Sequence, residues 1–216
     1  MPNARRVLEI GCGTGAVLAS IPSSSATVFG LDIDKASLLL AKTSVNNVAL
    51  TNGDAHQLPL LDGAFDISFF HYVLLWLKDP AAAVSEARRV TRPGGAVIAF
   101  AEPDYSQRKT SFPELGKIND LQMQSLQSQG ADPTIGSRLG DLFSKTGIPP
   151  IEFGQLDLVD TPPTPQDLEL ELEVLKSDLA NQLPPEKVDA LISQLNETED
   201  LVTFQVPTFF CWGRVT

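Results

Sequence analysis

A glycine-rich turn directly after a short apolar run is the feature that most constrains this chain. Val7-Leu8-Glu9-Ile10 is followed by Gly11-Cys12-Gly13-Thr14-Gly15, so an acidic residue precedes three glycines at alternate positions. Glycine lets the backbone adopt positive φ and lets a ligand approach the main chain closely. The pattern predicts a buried strand, a tight turn and a helix N-terminus whose N–H groups suit a nucleotide cofactor.

The spacing of the glycines leaves more than one cofactor open. Gly11-x-Gly13-x-x-Ala16 also fits the dinucleotide fingerprint, and Asp32 follows at about the spacing expected for a ribose-binding acid. The turn alone therefore does not separate NAD from other adenosine ligands. Glu9 favours a different ligand, because its carboxylate would repel a pyrophosphate but suits a cofactor whose tail carries an ammonium group.

Five motifs occur in the order found in the class I S-adenosylmethionine-dependent methyltransferases, and the chain resembles that family over about residues 7–104. The motifs are Glu9 to Gly15, Phe29 to Asp34, Asn52 to Ala55, Phe65 to His71 and Arg92 to Phe100. The resemblance implies that Asp32 grips both ribose hydroxyls and that Asp54 receives the adenine amino group. The cofactor-binding residues that it implies are Glu9, Gly11, Cys12, Gly13, Gly15, Asp32, Ile33, Asp54, Ala55, Phe70 and His71.

Apolar runs alternate with helical stretches, which predicts an α/β fold with a parallel sheet covered on both faces. The resemblance implies a Rossmann-like three-layer α/β/α sandwich with helical lid insertions. Its seven strands would lie in the order 3-2-1-4-5-7-6, with strand seven antiparallel. Strands are predicted at 7–10, 27–31, 48–51, 65–70, 96–101, 153–159 and 201–215. Helices are predicted at 15–21, 35–44, 80–90, 113–129, 137–145, 166–180 and 184–197.

Local signals position two of these helices. Asp34 and Asp79 precede them as N-cap candidates, and Pro80 suits a first helical position. In the first of the two, Leu38, Leu39 and Ala41 are expected to face inward.

One methyltransferase domain is predicted over residues 1–216. Residues 1–102 would form the cofactor-binding core, 103–147 and 161–198 the helical insertions, and 148–160 and 199–216 the C-terminal strands. The family usually has helices before its first strand, whereas here that strand begins about six residues from Met1. Cover over the site is therefore expected from the two insertions, from a partner chain or from a segment absent from this sequence.

The acceptor side of the site is expected at the ends of strands four and five. Its candidate residues are Tyr72, Trp76, Glu102, Asp104 and Tyr105. His71 titrates near neutral pH and is the candidate general base. A structural role, in core packing or in a polar turn, is the competing interpretation for each.

Residues 102–109 also resemble short motifs of two other enzyme classes, but in both cases the motif occupies a different place in the fold of those enzymes. Glu102-Pro103-Asp104-Tyr105 is similar to the D/N-P-P-Y motif of amino-methylating enzymes, but that motif follows strand four. Tyr105-x-x-x-Lys109 is similar to the catalytic pair of short-chain reductases, which lies within a long helix rather than after a strand and a proline.

The resemblance implies methyl transfer from S-adenosylmethionine to a small-molecule acceptor by in-line displacement, releasing S-adenosylhomocysteine. The reaction depends mainly on alignment, so no universal catalytic residue is expected. Two alternatives stay open. One is an NAD(P)-dependent oxidoreductase using Tyr105 and Lys109, and the other is a non-catalytic cofactor-binding or scaffold subunit.

The composition and net charge limit which binding partners and which cellular location are expected. A net charge of -11 over 216 residues disfavours an extended nucleic-acid footprint. No run approaches the roughly 18 apolar residues of a membrane span, so neither a membrane span nor a secretory leader is expected. Two cysteines suggest neither a disulfide framework nor a metal site, so a reduced, cytoplasmic protein is expected. A homodimer is compatible with an exposed first-strand region.

Overall fold

Seven β-strands form one sheet in the order β3-β2-β1-β4-β5-β7-β6 in a computed structural model of the chain. The structure describes residues 6–22, 26–45, 47–108, 113–156, 164–180, 183–196 and 206–216. The strands are β1 Arg6–Ile10, β2 Thr27–Asp32, β3 Val48–Asn52, β4 Phe65–His71, β5 Thr91–Pro103, β6 Pro150–Gln155 and β7 Thr208–Arg214. Strands β1 to β5 pair in parallel, and β7 is antiparallel to β5 and β6. The expected order and strand directions are confirmed.

The described part of the chain contains six α-helices beside the sheet. They are α1 Lys35–Ser44, α2 Pro80–Val90, α3 Pro113–Ser128, α4 Leu139–Lys145, α5 Pro165–Leu179 and α6 Pro185–Asn196. None of the described helices is long and apolar enough to pass through a membrane.

The N-caps of α1 and α2 are those that the sequence predicts. Asp34 accepts hydrogen bonds from the backbone N–H groups of Ala36 and Ser37, and Asp79 accepts one from Ala82. These side chains satisfy N–H groups that have no partner within their helix. Both helices therefore have the predicted bounds.

The expected inward position of Leu39 is wrong. Leu38 and Ala41 of α1 are buried, but the Leu39 side chain is 64% exposed. A helix turns by about 100° per residue, so Leu39 lies well away from the stripe that Leu38 and Ala41 present to the sheet.

The helix predicted at 15–21 is also wrong, since only a 3-10 turn forms, at Leu18–Ser20. Ile21 is extended, with φ -82° and ψ 121°, and it precedes Pro22. Proline disfavours the helical conformation of the residue before it, so too few residues remain after the glycine turn for an α-helix. Leu18 is still buried beside β2 in a cluster with Cys12 and Val28.

The second half of the chain forms a separate small helical cluster. Helices α3, α5 and α6 pack together through Ile118, Leu175, Leu179 and Val188. The helix predicted at 137–145 divides into a 3-10 turn at Gly136–Arg138 and α4. The assignment of such helices to a lid stays a prediction.

Several strand ends differ from the predicted bounds. β5 begins at Thr91 instead of residue 96, and β6 begins at Pro150 instead of residue 153. Residues 157–159 of the predicted sixth strand and 201–205 of the predicted last strand lie outside the described residues. The described part of the last strand begins at Thr208.

Candidate active site

A cavity of about 580 Å³ opens at the carboxyl ends of the parallel strands. This is the edge at which open α/β sheets bind ligands. Its wall is formed by Gly11, Leu31, Asp32, Ile33, Gly53, Asp54, Ala55, His56, Tyr72, Val73, Trp76, Leu77 and Lys78. The wall thus includes seven of the residues that the sequence predicts for the site: Gly11, Asp32, Ile33, Asp54, Ala55, Tyr72 and Trp76.

The glycine turn presents main-chain atoms without side chains beside the cavity. Gly11 and Gly13 have φ values of 80° and 50°, a region that side chains rarely allow. The Gly11 N–H donates to the carbonyl oxygen of Leu31 at 2.7 Å, which holds the turn against β2. A Cβ atom on Gly11 would lie 2.5 Å from Cγ2 of Val73, whereas one on Gly13 would meet no atom within 4 Å. The space beside Gly13 is therefore open to a ligand.

Asp32 joins the end of β2 to the glycine turn. Its Oδ2 accepts the Gly13 N–H at 2.7 Å, and its Oδ1 accepts the Asp34 N–H at 2.8 Å. A carboxylate has about four acceptor positions, so each oxygen retains capacity for a further donor. The Asp32 side chain can therefore shape the turn and bind hydroxyl groups in the cavity.

Glu9 is a buried carboxyl without a full set of partners. The residue is 2% exposed, and its Oε2 has no hydrogen-bond partner among the described residues. Burial, and then the negative charge of Asp32, raise the pKa of Glu9 to about 8. A buried polar atom left unpaired costs about 1–3 kcal/mol. An ammonium group of a ligand would supply both a donor and an opposite charge, so the arrangement fits the cofactor tail that the resemblance implies.

His56 belongs to the cavity wall and is not among the residues predicted for the site. Asp54 Oδ1 accepts the His56 N–H at 2.9 Å and lies 2.6 Å from His56 Nδ1. The Asp79 N–H donates to His56 Nε2 at 3.4 Å, so a neutral ring carries its proton on Nδ1. Hydrogen bonds from His56 lower the pKa of Asp54. The Asp-x-His spacing is the signal in the sequence that points to this pair.

Tyr72 connects the cavity to the segment after β5. Its hydroxyl lies 2.8 Å from that of Tyr105, and burial raises the pKa of Tyr105. Tyr72 has a φ of 56°, which is costly for a side chain of this size. Strained backbone of this kind persists where surrounding contacts fix it, and it concentrates at functional sites.

Three of the predicted acceptor-side residues do not line the cavity. Glu102, Asp104 and Tyr105 are buried, at 0%, 1% and 4% exposure. Glu102 accepts backbone N–H groups, and Asp104 accepts the N–H and hydroxyl of Ser106 at 3.0 and 2.5 Å. The pairing of β5 with β7 shifts register between Ala99 and Glu102, and Ala101 within the shift has a φ of 58°. Such an irregularity re-aims the side chains beyond it, which the sequence does not reveal.

Six of the predicted cofactor residues also lie outside the cavity wall: Glu9, Cys12, Gly13, Gly15, Phe70 and His71. Cys12 and Phe70 are buried in apolar clusters. A Cβ atom on Gly15 would lie 3.0 Å from Val45, so this glycine serves packing against the end of α1.

His71, the candidate base, lies at the end of β4 and does not line the cavity either. Its ring centroid is 4.7 Å from that of Phe100, and burial lowers its pKa. The histidine is therefore neutral at neutral pH. Lys109, the second member of the reductase-like pair, lies outside the described residues.

Comparison with known proteins identifies the family. A methyltransferase-domain model matches residues 8–99. The chain is 30% identical to the demethylmenaquinone methyltransferase of Lactococcus lactis over 168 residues, which cover 68% of this chain and 67% of that protein. It is 34% identical to an uncharacterised methyltransferase of Schizosaccharomyces pombe over 150 residues, covering 62% of this chain and 53% of the relative.

A third relative matches less than half of the chain. The malonyl-[acyl-carrier protein] O-methyltransferase of Buchnera aphidicola is 38% identical over 92 residues, covering 43% of this chain and 37% of that protein. The chain thus spans about half of the Schizosaccharomyces relative and little more than a third of the Buchnera one.

Solved structures share the fold along the whole chain. The YcgJ protein of Bacillus subtilis has a TM-score of 0.65 and 20% identity, covering 99% of this chain and 93% of that one. A candidate methyltransferase from an antibiotic biosynthesis pathway of Anabaena variabilis has a TM-score of 0.71 and 16% identity, covering 99% and 92%. Together with the ordered motifs and the sheet order, these similarities show that the chain belongs to the class I S-adenosylmethionine-dependent methyltransferases.

Proposed function

We propose that the protein transfers a methyl group from S-adenosylmethionine to a small-molecule acceptor, using the 580 Å³ cavity as its cofactor site. The observation that carries the proposal is the unpartnered Oε2 of Glu9, buried beside Asp32 and directly before the glycine turn. The Asp32 carboxylate, together with the unpartnered Glu9 carboxyl that a ligand ammonium group would draw into its ionised form, favours a cation over a phosphate at this end of the site.

Each part of the cofactor has a matching group. Glu9 would pair with the ammonium of the amino-acid tail. Asp32 would accept the ribose hydroxyls, and such charge-assisted hydrogen bonds are stronger than neutral ones. Asp54 would accept the adenine amino group, and Ile33 and Ala55 offer apolar contacts to the ring in the same wall.

When bound, S-adenosylmethionine would supply a sulfonium-activated methyl group, which the acceptor nucleophile would attack in line with the carbon–sulfur bond as S-adenosylhomocysteine leaves. The contribution of the chain is to hold and orient. Gly11 packs against Val73, so the turn and the opposite wall have a fixed separation. Tyr72 and Trp76 form an aromatic part of that wall, where they would exclude water from the methyl group.

The acceptor is proposed to be a small molecule. The net charge of -11 opposes a polyanionic acceptor such as a nucleic acid. One similar protein is named for demethylmenaquinone, which supports a small-molecule acceptor, and another is named for malonyl-[acyl-carrier protein]. The helical cluster of α3, α5 and α6 is the proposed acceptor-side cover, because Tyr105, which packs with Leu126 of α3, contacts the hydroxyl of Tyr72 in the cavity wall.

Calorimetric titration with S-adenosylhomocysteine and with NAD tests the cofactor assignment. Binding of the first alone is the expected result, whereas binding of NAD alone would contradict the proposal. A screen of small metabolites for release of S-adenosylhomocysteine then identifies the acceptor. Binding without turnover of any acceptor would instead favour a non-catalytic subunit.

A further inference from the structure

Glu102 is a buried carboxylate whose hydrogen bonds all go to one segment of backbone. The residue is fully buried. Its Oε1 accepts the N–H groups of Val73 and Leu74 at 2.9 and 3.0 Å, and its Oε2 accepts that of Leu75 at 3.3 Å. Three donors around one carboxylate bind the ionised form much more strongly than the protonated form.

The segment that Glu102 holds is the cavity wall opposite the glycine turn. A 3-10 turn at Leu74–Trp76 begins there without a side-chain cap from Val73. The N–H groups at the start of such a turn have no partner within it, so the Glu102 carboxylate takes the place of a cap. The Val73 side chain packs against Gly11, and Trp76 lies in the cavity wall.

The same wall is fixed at two further points. The Asp132 N–H donates to the carbonyl oxygen of Leu75 at 2.6 Å, and the Tyr72 hydroxyl lies 2.8 Å from that of Tyr105. Glu102 differs from both contacts because it alone can gain or lose a proton near neutral pH. Its ionisation state therefore controls how firmly the wall is held.

We infer that Glu102 is a positioning residue, whose ionised side chain holds residues 73–75 in the conformation that the adenosine part of the cofactor requires. Protonation converts one acceptor oxygen into a donor that faces backbone N–H groups, so the wall loosens and the cofactor binds more weakly. The inference rests on the proposed function, because it assumes that the cofactor occupies this cavity.

The charged groups near Glu102 should have little effect on its titration, because they are engaged in other contacts. Burial raises its pKa to about 7, against the three N–H groups, which lower it. The charged groups nearby in the described chain are engaged elsewhere: Asp104 with Ser106 and Gln107, and Arg138 with Asp132. The hydroxyls of Tyr72 and Tyr105 contact each other. Glu9, which lies outside the cavity wall just before the glycine turn, also has a raised pKa, of about 8.

The test uses 5′-methylthioadenosine, because this probe has no ammonium group to pair with Glu9. Its affinity is measured by calorimetry between about pH 6 and pH 8.5 for the parent protein, Glu102→Gln and Glu86→Gln. Glu86 is a matched control, because its carboxylate also accepts a backbone N–H group, that of Leu58, but lies away from the cavity wall. It also forms an ion pair with Arg89.

The parent protein should bind the probe roughly tenfold more weakly at the acidic end, the equivalent of one hydrogen bond to a charged group. Glu102→Gln should bind weakly at both ends, and Glu86→Gln should keep the parental pH dependence. A folded Glu102→Gln protein with parental affinity and pH dependence would overturn the inference. Failure of the parent protein to bind S-adenosylhomocysteine at any pH would instead overturn the proposed function, and the inference with it.

Amide hydrogen exchange of the unmodified protein gives an independent readout if Glu102→Gln does not fold. Protection of the Val73, Leu74 and Leu75 amides, corrected for intrinsic exchange, should fall as the pH drops below about 7. Protection that stays constant across this range would equally contradict a positioning role for Glu102.

Discussion

The backbone N–H of Gly13 donates a hydrogen bond to Oδ2 of Asp32 at 2.7 Å. This contact joins residues 19 apart in the chain, one in the glycine turn and one at the end of β2. Because the other oxygen of Asp32 accepts the Asp34 N–H, a single carboxylate fixes both loops beside the cavity. The shape of the turn and the recognition of the ligand therefore depend on the same side chain.

Replacement of Asp32 by alanine should weaken S-adenosylhomocysteine binding by about 2–3 kcal/mol, because charge-assisted hydrogen bonds to the ribose are lost. The glycine turn should also lose stability, since the Gly13 N–H loses its acceptor. Calorimetry measures the first effect and thermal unfolding the second. Asp32→Asn retains one acceptor oxygen and should lie between the parent and the alanine variant.

Asp34→Ala is the matched control for Asp32. Asp34 caps α1 through the N–H groups of Ala36 and Ser37. Loss of this cap should lower the stability of the protein slightly, with little change in cofactor affinity. Parental affinity in a folded Asp32→Ala protein would show that the ribose lies elsewhere.

Gly13→Val should give a folded protein that does not bind S-adenosylhomocysteine. The added side chain meets no protein atom within 4 Å, so the protein can accommodate it, and the proposal extends the cofactor site from the cavity wall at Gly11 into this open space. Gly130→Val is a close control, because Gly130 also has a positive φ, 88°, and open space around it, but lies after α3. Both variants should lose about 1–2 kcal/mol of stability from the left-handed backbone, and only Gly13→Val should lose binding. Equal affinities of the two variants, measured by calorimetry, would contradict close approach of the ligand to Gly13.

Gly11→Ala should destabilise the protein by about 1–3 kcal/mol, because the new Cβ overlaps the Val73 side chain. Val73→Ala removes the two methyl groups that cause the overlap. A double-mutant cycle read by denaturant unfolding should show the double variant less destabilised than the sum of the single variants by about 1 kcal/mol. Simple additivity would mean that the glycine turn and the opposite wall do not touch.

Glu9→Gln should stabilise the ligand-free protein at alkaline pH while weakening its binding of S-adenosylhomocysteine. The folded-state pKa of Glu9 is about 8, above the usual value of 4.5, so folding favours the protonated form. Stability from this group is therefore greatest at acidic pH and falls as the pH rises from about 4.5 to about 8. Glutamine removes the buried charge, so the variant should exceed the parent by about 1–3 kcal/mol near pH 9 and match it near pH 5.

Denaturant unfolding at the two pH values measures the effect of Glu9. Glu173→Gln, on an exposed position of α5, is the surface control and should change stability little at either pH. A Glu9→Gln protein that is less stable than the parent at alkaline pH would show that the carboxylate has a structural partner.

The sequence by itself determined those secondary-structure elements that depend on interactions between residues close together in the chain. Asp34 and Asp79 set the starts of α1 and α2 through bonds to N–H groups two or three residues away. The order of the apolar runs and the five motifs gave the sheet topology through resemblance to the family. Asp32, Asp54 and Gly11 reach the cavity because the carboxyl ends of parallel strands meet at one edge.

Only the tertiary structure decided the positions that depend on distant contacts. Glu102 is buried and binds the backbone N–H groups of residues 73–75 instead of lining the cavity, and it lies where β5 shifts register against β7, a strand far away in the chain. Val73 faces Gly11 for a similar reason, since the turn that contains it is held by the Glu102 carboxylate. A pattern of residue types records which groups can bind a cofactor, but the direction of a side chain after an irregular strand is fixed by packing across the sheet.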